Sequence, residues 1–253
     1  MKVTIFQTDI AWADHPTNIL KADEWIDAQP GSDLYVFPEM FSTGFAIDPV
    51  GISESESGSS LAWMKGKAAS TGAAICGSVS VHTDQGLYVN RFYFVKPDGS
   101  VAYYDKHHLF TYGGENERYT AGQERVVVEW LGVRILLMVC YDLRFPIWSR
   151  NHSDYYDMAI YVASWPTSRI EAWRTLLKAR AIENQCYVIG VNRVGNDPHC
   201  HYCGCSAIIH PYGKVIEECE RDQACAATAT IDMEALRDFR KKFPVLEDGE
   251  VKS

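Results

Sequence analysis

The chain has 253 residues, 47% of them hydrophobic, so it contains enough apolar material to bury a large core. Its formal net charge of -9 supplies no positive field for nucleic-acid phosphates or anionic lipid, which argues against both as partners. The acidic N-terminal stretch and the absence of an apolar run of about 20 residues argue against a secretory signal and a membrane span. We expect a single cytoplasmic domain, residues 1–253, with its eight cysteines reduced.

Short apolar runs typical of buried strands alternate with amphipathic stretches along the chain. In chain order the runs are VTIFQTD, LYVFP, AAICGSVSV, YVNRFYFV, VVVEW, VRILLMVC, MAIYVAS, CYVIGVN and CSAIIH. Apolar residues at helical spacing predict helices over 17–29, 59–70, 144–152 and 170–185. The alternation predicts an α/β architecture, and KPDGS at 96–100 predicts an antiparallel hairpin within it.

Cys140 stands where the apolar run ILLMVC stops and the sequence turns polar. A strand before it and a helix beginning near Leu143 would form a sharp turn that lifts the sulfur above the sheet and points backbone N–H groups at it. That is the position of a nucleophile. The alternative interpretation is a buried structural thiol, because free cysteine is among the most buried residue types.

Two charged residues also follow predicted strands. Glu39 comes after LYVFP, where its carboxylate could take a thiol proton and later return it to a leaving nitrogen. Lys106 comes after VAYYD, where its ammonium could stabilise the oxyanion formed by attack on a carbonyl. Taken alone, Glu39 could instead be an ordinary glutamate at a strand end, and Lys106 could be a plain surface lysine.

The motifs FPEMFSTG, YDKHHLF and VCYDLRFP, in this order, resemble those of the nitrilase superfamily of carbon–nitrogen hydrolases, and the resemblance extends over nearly the whole chain. It implies a four-layer α-β-β-α sandwich, no cofactor, and a homodimer or larger homo-oligomer. It also implies Glu39 as general base and acid, Lys106 as oxyanion stabiliser and Cys140 as nucleophile. A fourth family position, a glutamate before an AG pair, corresponds to Glu115 in ENERYTAG, with Glu117 as the nearby alternative.

The segments CYDLRFPIWSRN and VASWPTSRIEAWRTLLKARAIENQ look like the ω-amidase branch of the superfamily. This resemblance implies release of ammonia from 2-oxoglutaramate and 2-oxosuccinamate through a thioester. Arg144 is predicted to bind the distal carboxylate of such a substrate as a planar fork, and a structural ion pair with Asp142 or with an acidic residue at an interface is its alternative role. The other predicted pocket residues are Tyr141, Trp165, Pro166, Thr167, Phe45 and Phe110.

Other functions are compatible with parts of the sequence. A hydrolase of another small amide or of an N-carbamoyl compound is the alternative within the superfamily. The segment HCHYCGC at 199–205, with Cys219 and Cys225 nearby, suggests a zinc-binding or thiol-rich regulator, but a second C-x-x-C is absent and we predict no metal. His107 and His108 suggest a cysteine–histidine hydrolase, although the C-G-x-C-W surroundings of papain-like enzymes are absent.

Two segments are predicted to lie at a subunit interface. They are residues 144–151 and a C-terminal extension from about residue 236, which contains DFRKKFP. Apolar and basic side chains in these segments would otherwise be exposed, and the resemblance implies paired subunits.

Overall fold

Strands and helices alternate along the chain in the structure, a computed structural model that describes residues 1–152 and 155–248. The strands are β1 Lys2–Gln7, β2 Leu34–Val36, β3 Glu54–Ser55, β4 Ala74–His82, β5 Tyr88–Val95, β6 Val101–Asp105, β7 Val127–Trp130, β8 Val133–Val139, β9 Met158–Ala163, β10 Tyr187–Asn192, β11 Val194–Asn196, β12 His201–Cys203, β13 Ala207–Ile209, β14 Val215–Glu218 and β15 Cys225–Thr230. The helices are α1 His15–Asp27, α2 Ser59–Thr71, α3 Ile170–Glu183, α4 Met233–Lys242 and α5 Val245–Asp248.

Two mixed sheets contain most of the strands. The first has the order β15-β1-β2-β4-β5-β6 with β3 beside β4, and the second has the order β14-β13-β10-β9-β8-β7. In each sheet a parallel centre, β1-β2-β4 or β10-β9-β8, continues into antiparallel strands. The KPDGS hairpin is confirmed, because it joins β5 to β6 with Val95 opposite Val101. Strands β11 and β12 form a separate hairpin.

The two sheets pack face to face over one hydrophobic core, in which Val36 and Phe94 of the first sheet lie with Leu137 and Ile160 of the second. Helices α1 and α2 cover the outer face of the first sheet with apolar side chains such as those of Ile26 and Met64. Helix α3 covers the outer face of the second sheet. The predicted four-layer α-β-β-α sandwich is therefore confirmed.

Helix α3 approaches β10 closely because Gly190 has no side chain. A Cβ at Gly190 would lie only 2.4 Å from Leu177 Cδ1 and 3.0 Å from Trp173 Cζ2. These two side chains are buried, so the glycine lets helix α3 pack directly against the outer face of the second sheet.

The predicted helix over 144–152 is wrong. A 3-10 turn at Cys140–Arg144 takes its place, and the chain then continues through turns. Phe145 ends the helical conformation with φ -113° and ψ 89°, because the ring of Pro146 disfavours the α region in the residue before it. The other helices match their predictions within two residues, and α1 begins at His15 because Asp14 caps it.

The predicted C-terminal extension starts inside α4, where Leu236 and Phe239 are buried against the chain itself. The last five residues, 249–253, lie outside the described residues. In the described part of the chain, no helix combines the length and the apolar character needed to cross a membrane.

Candidate active site

Strand ends from both sheets meet at one edge of the sandwich and bring the predicted catalytic residues together. Glu39 follows β2, and Lys106 follows β6, which points the same way as β2 because two antiparallel pairings separate β6 from β4. Cys140 follows β8 in the second sheet. The base candidate and the ammonium thus come from the first sheet, and the thiol comes from the second.

Lys106 is fully buried between two carboxylates. Its Nζ lies 3.0 Å from Glu39 Oε1 and 2.9 Å from Glu115 Oε2. Burial acts to lower the pKa of Lys106, but the attraction of Glu115 and Glu39 outweighs it and raises the pKa well above the usual value, so the ammonium stays charged. Burial also raises the pKa of Glu115. Glu117 is exposed, so Glu115 is the glutamate that joins this cluster.

The Glu39 carboxylate is held from three sides. Besides Lys106, the Asn90 side-chain amide donates to Oε1 at 2.8 Å and the Ser164 backbone N–H donates to Oε2 at 2.8 Å. Asn90 is fully buried on β5 and was not predicted as a site residue. The segment YVNRFYFV could have indicated Asn90, because a side-chain amide inside a buried apolar strand needs polar partners.

Cys140 opens the 3-10 turn with φ +46°, in the left-handed region that non-glycine residues rarely adopt. Burial, reinforced by the negative charge of Glu39, raises the pKa of the Cys140 thiol well above its usual value. The thiol is therefore protonated near neutral pH, and it needs a base before it can attack. Glu39 is the carboxylate whose charge acts most strongly on this thiol.

A cavity of about 200 Å³ opens onto Cys140 and Lys106. Its walls include six residues predicted for the pocket: Phe45, Phe110, Tyr141, Arg144, Trp165 and Pro166. The wall residues that the sequence analysis missed are Ile47, Tyr112, Gly113, Ser164, Arg169, Asp197, His199, Cys200 and Tyr202. Predicted Thr167 does not belong to the lining, and its buried hydroxyl has no hydrogen-bond partner in the described residues.

Two arginines supply positive charge to the cavity wall. The Arg144 guanidinium lies 4.9 Å from the ring centre of Trp165, and the Arg169 guanidinium lies 5.2 Å from that of Phe110. Within residues 1–152 and 155–248 neither arginine forms an ion pair. The alternative pairing of Arg144 with Asp142 is absent there, because Asp142 instead bonds His108 and other donors.

His107 and His108 lie outside the cavity lining. The His107 ring stacks on Trp148 at 3.7 Å between centroids, and the His108 ring stacks on Phe145 at 3.8 Å. His108 also donates through Nδ1 to Asp142 Oδ1 at 2.8 Å. Both imidazoles thus pack beside the 3-10 turn that begins at Cys140.

The cysteine-rich segment forms part of the cavity wall, because the β11–β12 hairpin brings His199, Cys200 and Tyr202 to it. Asp197 fixes this wall by accepting from the Tyr202 hydroxyl and from the His199 and Cys200 backbone N–H groups at 2.7 Å. The described residues contain no group of three or more His, Cys, Asp or Glu side chains that could hold a metal ion.

Comparison with known proteins gives consistent results. The carbon–nitrogen hydrolase family matches residues 2–241. The chain is 47% identical to the omega-amidase YafV of Escherichia coli, over 99% of this chain and 97% of the relative. It is 35% identical to the 2-oxoglutaramate amidase of Bacillus subtilis, over 98% of each.

A solved structure is similar over its full length. It is the CN-hydrolase superfamily protein of Xanthomonas campestris, which carries an arsenic adduct in its active site. The two chains superpose with a TM-score of 0.96 at 42% identity, over 100% of this chain and 98% of the other. The predicted fold class and family resemblance are confirmed, and this chain belongs to the carbon–nitrogen hydrolase family.

Proposed function

We propose that the protein is a thiol-dependent amidohydrolase that releases ammonia from the ω-amide of small 2-oxo-dicarboxylic acid monoamides, namely 2-oxoglutaramate and 2-oxosuccinamate. The observation that carries this proposal is the buried cluster of Glu39, Lys106 and Glu115 beside the Cys140 thiol, at a small cavity with two guanidinium groups in its wall. The names of the Escherichia coli and Bacillus subtilis relatives support the same activity.

In the acylation half of the reaction, Glu39 takes the proton from Cys140 as the sulfur attacks the amide carbon. The Lys106 ammonium stabilises the oxyanion that forms. When the tetrahedral intermediate collapses, the C–N bond breaks and Glu39 returns the proton to the leaving nitrogen. Ammonia departs and a thioester remains on the sulfur.

In the deacylation half, a water molecule attacks the thioester carbon and Glu39 takes one of its protons. The C–S bond then breaks, the sulfur regains the proton from Glu39, and the carboxylic acid product is released. Glu115 keeps Lys106 charged throughout, since its carboxylate lies 2.9 Å from Nζ and contributes to the raised pKa of that ammonium.

The charge of the cavity wall favours an anionic substrate over a zwitterionic one. Arg144 and Arg169 each offer a guanidinium fork that suits a carboxylate with an adjacent carbonyl. The carboxylate of Asp197 is already occupied by Tyr202 and two backbone N–H groups, so it is a poor partner for an ammonium. A 2-oxo acid therefore fits this wall better than glutamine or asparagine, whose 2-ammonium groups the arginines would repel.

The test is an ammonia-release panel with 2-oxoglutaramate, 2-oxosuccinamate, glutamine, asparagine, an N-carbamoyl amino acid and a simple nitrile. We expect the two 2-oxo monoamides to have the highest kcat/KM, and Cys140→Ala to abolish turnover while the protein stays folded by circular dichroism. Highest kcat/KM for the N-carbamoyl compound would instead favour that branch of the family. No turnover together with stoichiometric zinc in the purified protein would favour the regulator.

Carboxylate binding by Arg144 has its own test. A hydrogen bond to a charged group contributes roughly 1.5–3 kcal/mol, so Arg144→Met should lower kcat/KM for 2-oxoglutaramate by about one to two decades. An uncharged amide of similar length should be much less affected. Arg169→Met is the matched variant, because Arg169 carries the same charge in the same wall. Equal losses for the charged and uncharged substrates in Arg144→Met would mean that Arg144 shapes the turn and does not bind the carboxylate.

A further inference from the structure

The buried carboxylate of Asp142 has no part in the mechanism above, yet it accepts four hydrogen bonds. Its Oδ2 accepts from the Tyr104 hydroxyl at 2.7 Å and from the Val139 backbone N–H at 3.0 Å. Its Oδ1 accepts from the backbone N–H of His108 at 3.0 Å and from the His108 ring at 2.8 Å. Asp142 does not line the cavity, so it has no direct contact with a substrate there.

These donors flank the two groups that must meet during the reaction. Tyr104 and His108 lie two residues before and two residues after Lys106, at the end of β6 in the first sheet. Val139 immediately precedes Cys140, at the end of β8 in the second sheet. One carboxylate therefore joins the lysine segment to the nucleophile segment across the boundary between the sheets.

Two further hydrogen bonds hold the Tyr104 hydroxyl beside Asp142. The Tyr104 hydroxyl also accepts from the His107 backbone N–H and from Trp148 Nε1, each at 3.1 Å. The left-handed φ of +46° at Cys140 needs such support, because a residue in that conformation persists only where the surroundings impose it.

We propose that Asp142 is a positioning residue that fixes the distance between the Cys140 sulfur and the Lys106 ammonium. It acts on the step in which sulfur attacks and the oxyanion forms, so its loss lowers kcat and leaves substrate affinity nearly unchanged. This inference rests on the roles proposed for Cys140 and Lys106. Misplacement by about 1 Å at such a site can cost a hundredfold in rate.

The first test is Asp142→Asn, which keeps the size of the side chain but turns one acceptor oxygen into an NH₂ donor facing other donors. We expect kcat for 2-oxoglutaramate to fall by about tenfold to a hundredfold, with KM changed by less than about threefold. Rates are expressed per folded protein, with the folded fraction measured by circular dichroism. Tyr104→Phe keeps the Asp142 charge, removes one of its four donors and leaves the His107 N–H and Trp148 Nε1 without their acceptor, so its kcat should also fall.

Asp157→Asn is the matched control. Asp157 is also a buried carboxylate with several donors, among them Arg134 and Arg240, but it precedes β9 at the edge of the sheet opposite the site. Its substitution should lower the melting temperature without changing kcat per folded site. If Asp142→Asn behaves in this way too, Asp142 is merely structural and the proposal is overturned; a rise in KM alone would overturn it as well.

A second readout separates this proposal from the proposed function. The rate constant for alkylation of Cys140 by iodoacetamide at fixed pH is followed on the Cys140 peptide by mass spectrometry, because Cys200 and Cys225 are also partly exposed thiols. It should change at least about threefold in Asp142→Asn and Tyr104→Phe, because the thiol shifts relative to Lys106 and Glu39. It should not change in Asp157→Asn. If the wild type hydrolyses none of the amides tested, the proposed function fails, but an altered alkylation rate still supports positioning by Asp142. An unaltered rate would overturn it.

Discussion

The thiol proposed as the nucleophile lies in surroundings that suppress its ionisation. Burial and the charge of Glu39 both raise the pKa of Cys140, whereas Lys106 acts in the opposite direction. A thiol that rests protonated must lose its proton before the sulfur attacks, and Glu39 is the proposed acceptor. This arrangement differs from a thiolate–imidazolium pair, in which the sulfur is already charged.

A Glu39→Gln variant should lose amide turnover while its Cys140 thiol still reacts with an alkylating agent. Turnover should be lost, because an amide cannot accept the thiol proton at neutral pH. Alkylation of Cys140 by iodoacetamide should nevertheless extend to lower pH, because removing the Glu39 charge lowers the pKa of the thiol. The measurement is the pH dependence of the alkylation rate in wild type and variant. Acyl-enzyme formation at the normal rate in Glu39→Gln would refute Glu39 as the base.

Lys106 should matter far more than the adjacent histidines. Lys106→Gln should lower kcat by about a hundredfold or more, as expected when an oxyanion-stabilising charge is lost. His107→Ala should have a small effect, and His108→Ala should cost at most about tenfold because its ring contacts Asp142 and Phe145 and does not line the cavity. Steady-state kinetics of the three variants gives the ranking, and the reverse order would favour a cysteine–histidine hydrolase.

At the scale of elements, the sequence could predict the residues that follow strands but not those brought in by long-range packing. Glu39, Lys106 and Cys140 each end a recognisable apolar run. The wall formed by the β11–β12 hairpin depends instead on contacts distant in sequence, such as the donation of Arg193 to the carbonyl of Ile10 at 3.1 Å. No local pattern could place that hairpin over the site.

The prediction of a helix over 144–152 was wrong for a local reason and not because of long-range packing. The apolar spacing is helical, but Pro146 interrupts it after only two residues, and that signal was available in the sequence. Arg169 was missed because an arginine at the start of a helix is usually solvated. Its position against Phe110 depends on the preceding 3-10 turn at Thr167–Arg169.

The lysine segment allows a test at the same scale. The N–H of Gly122 donates to the Lys106 carbonyl at 3.0 Å, and a Cβ at Gly122 would lie 2.1 Å from the Asp105 carbonyl oxygen. Gly122→Ala should therefore displace the backbone at Lys106 and lower kcat by about tenfold or more.

The control for this variant is Gly66→Ala on α2, where a Cβ meets no atom within 4 Å. It should leave kcat unchanged and raise the free energy of unfolding by about 0.5–1 kcal/mol, because alanine favours the helix over glycine. Urea unfolding and steady-state assays measure both variants. Full activity in Gly122→Ala would show that the lysine segment tolerates the displacement.

At the scale of the whole molecule, we propose a homodimer that uses the segment after the nucleophile turn. Ile147 in this segment is 89% exposed, which is unusual for an isoleucine beside an active site. Ile147→Asp should convert a dimer to a monomer, as measured by light scattering coupled to size-exclusion chromatography. Leu20→Asp is the control, since Leu20 is 67% exposed on α1, which covers the other sheet. A monomeric wild type would contradict the proposal.

The division of the proposed catalytic residues between the two sheets has a consequence for the order of events during folding. Before the two sheets dock, a chain would carry Cys140 on the second sheet and Glu39 and Lys106 on the first, too far apart to react together. Recovery of amidase activity on refolding therefore cannot precede docking of the sheets, whatever secondary structure has already appeared. Turnover thus reports that the two sheets have docked, and chains that have not reached this stage stay catalytically silent while they fold.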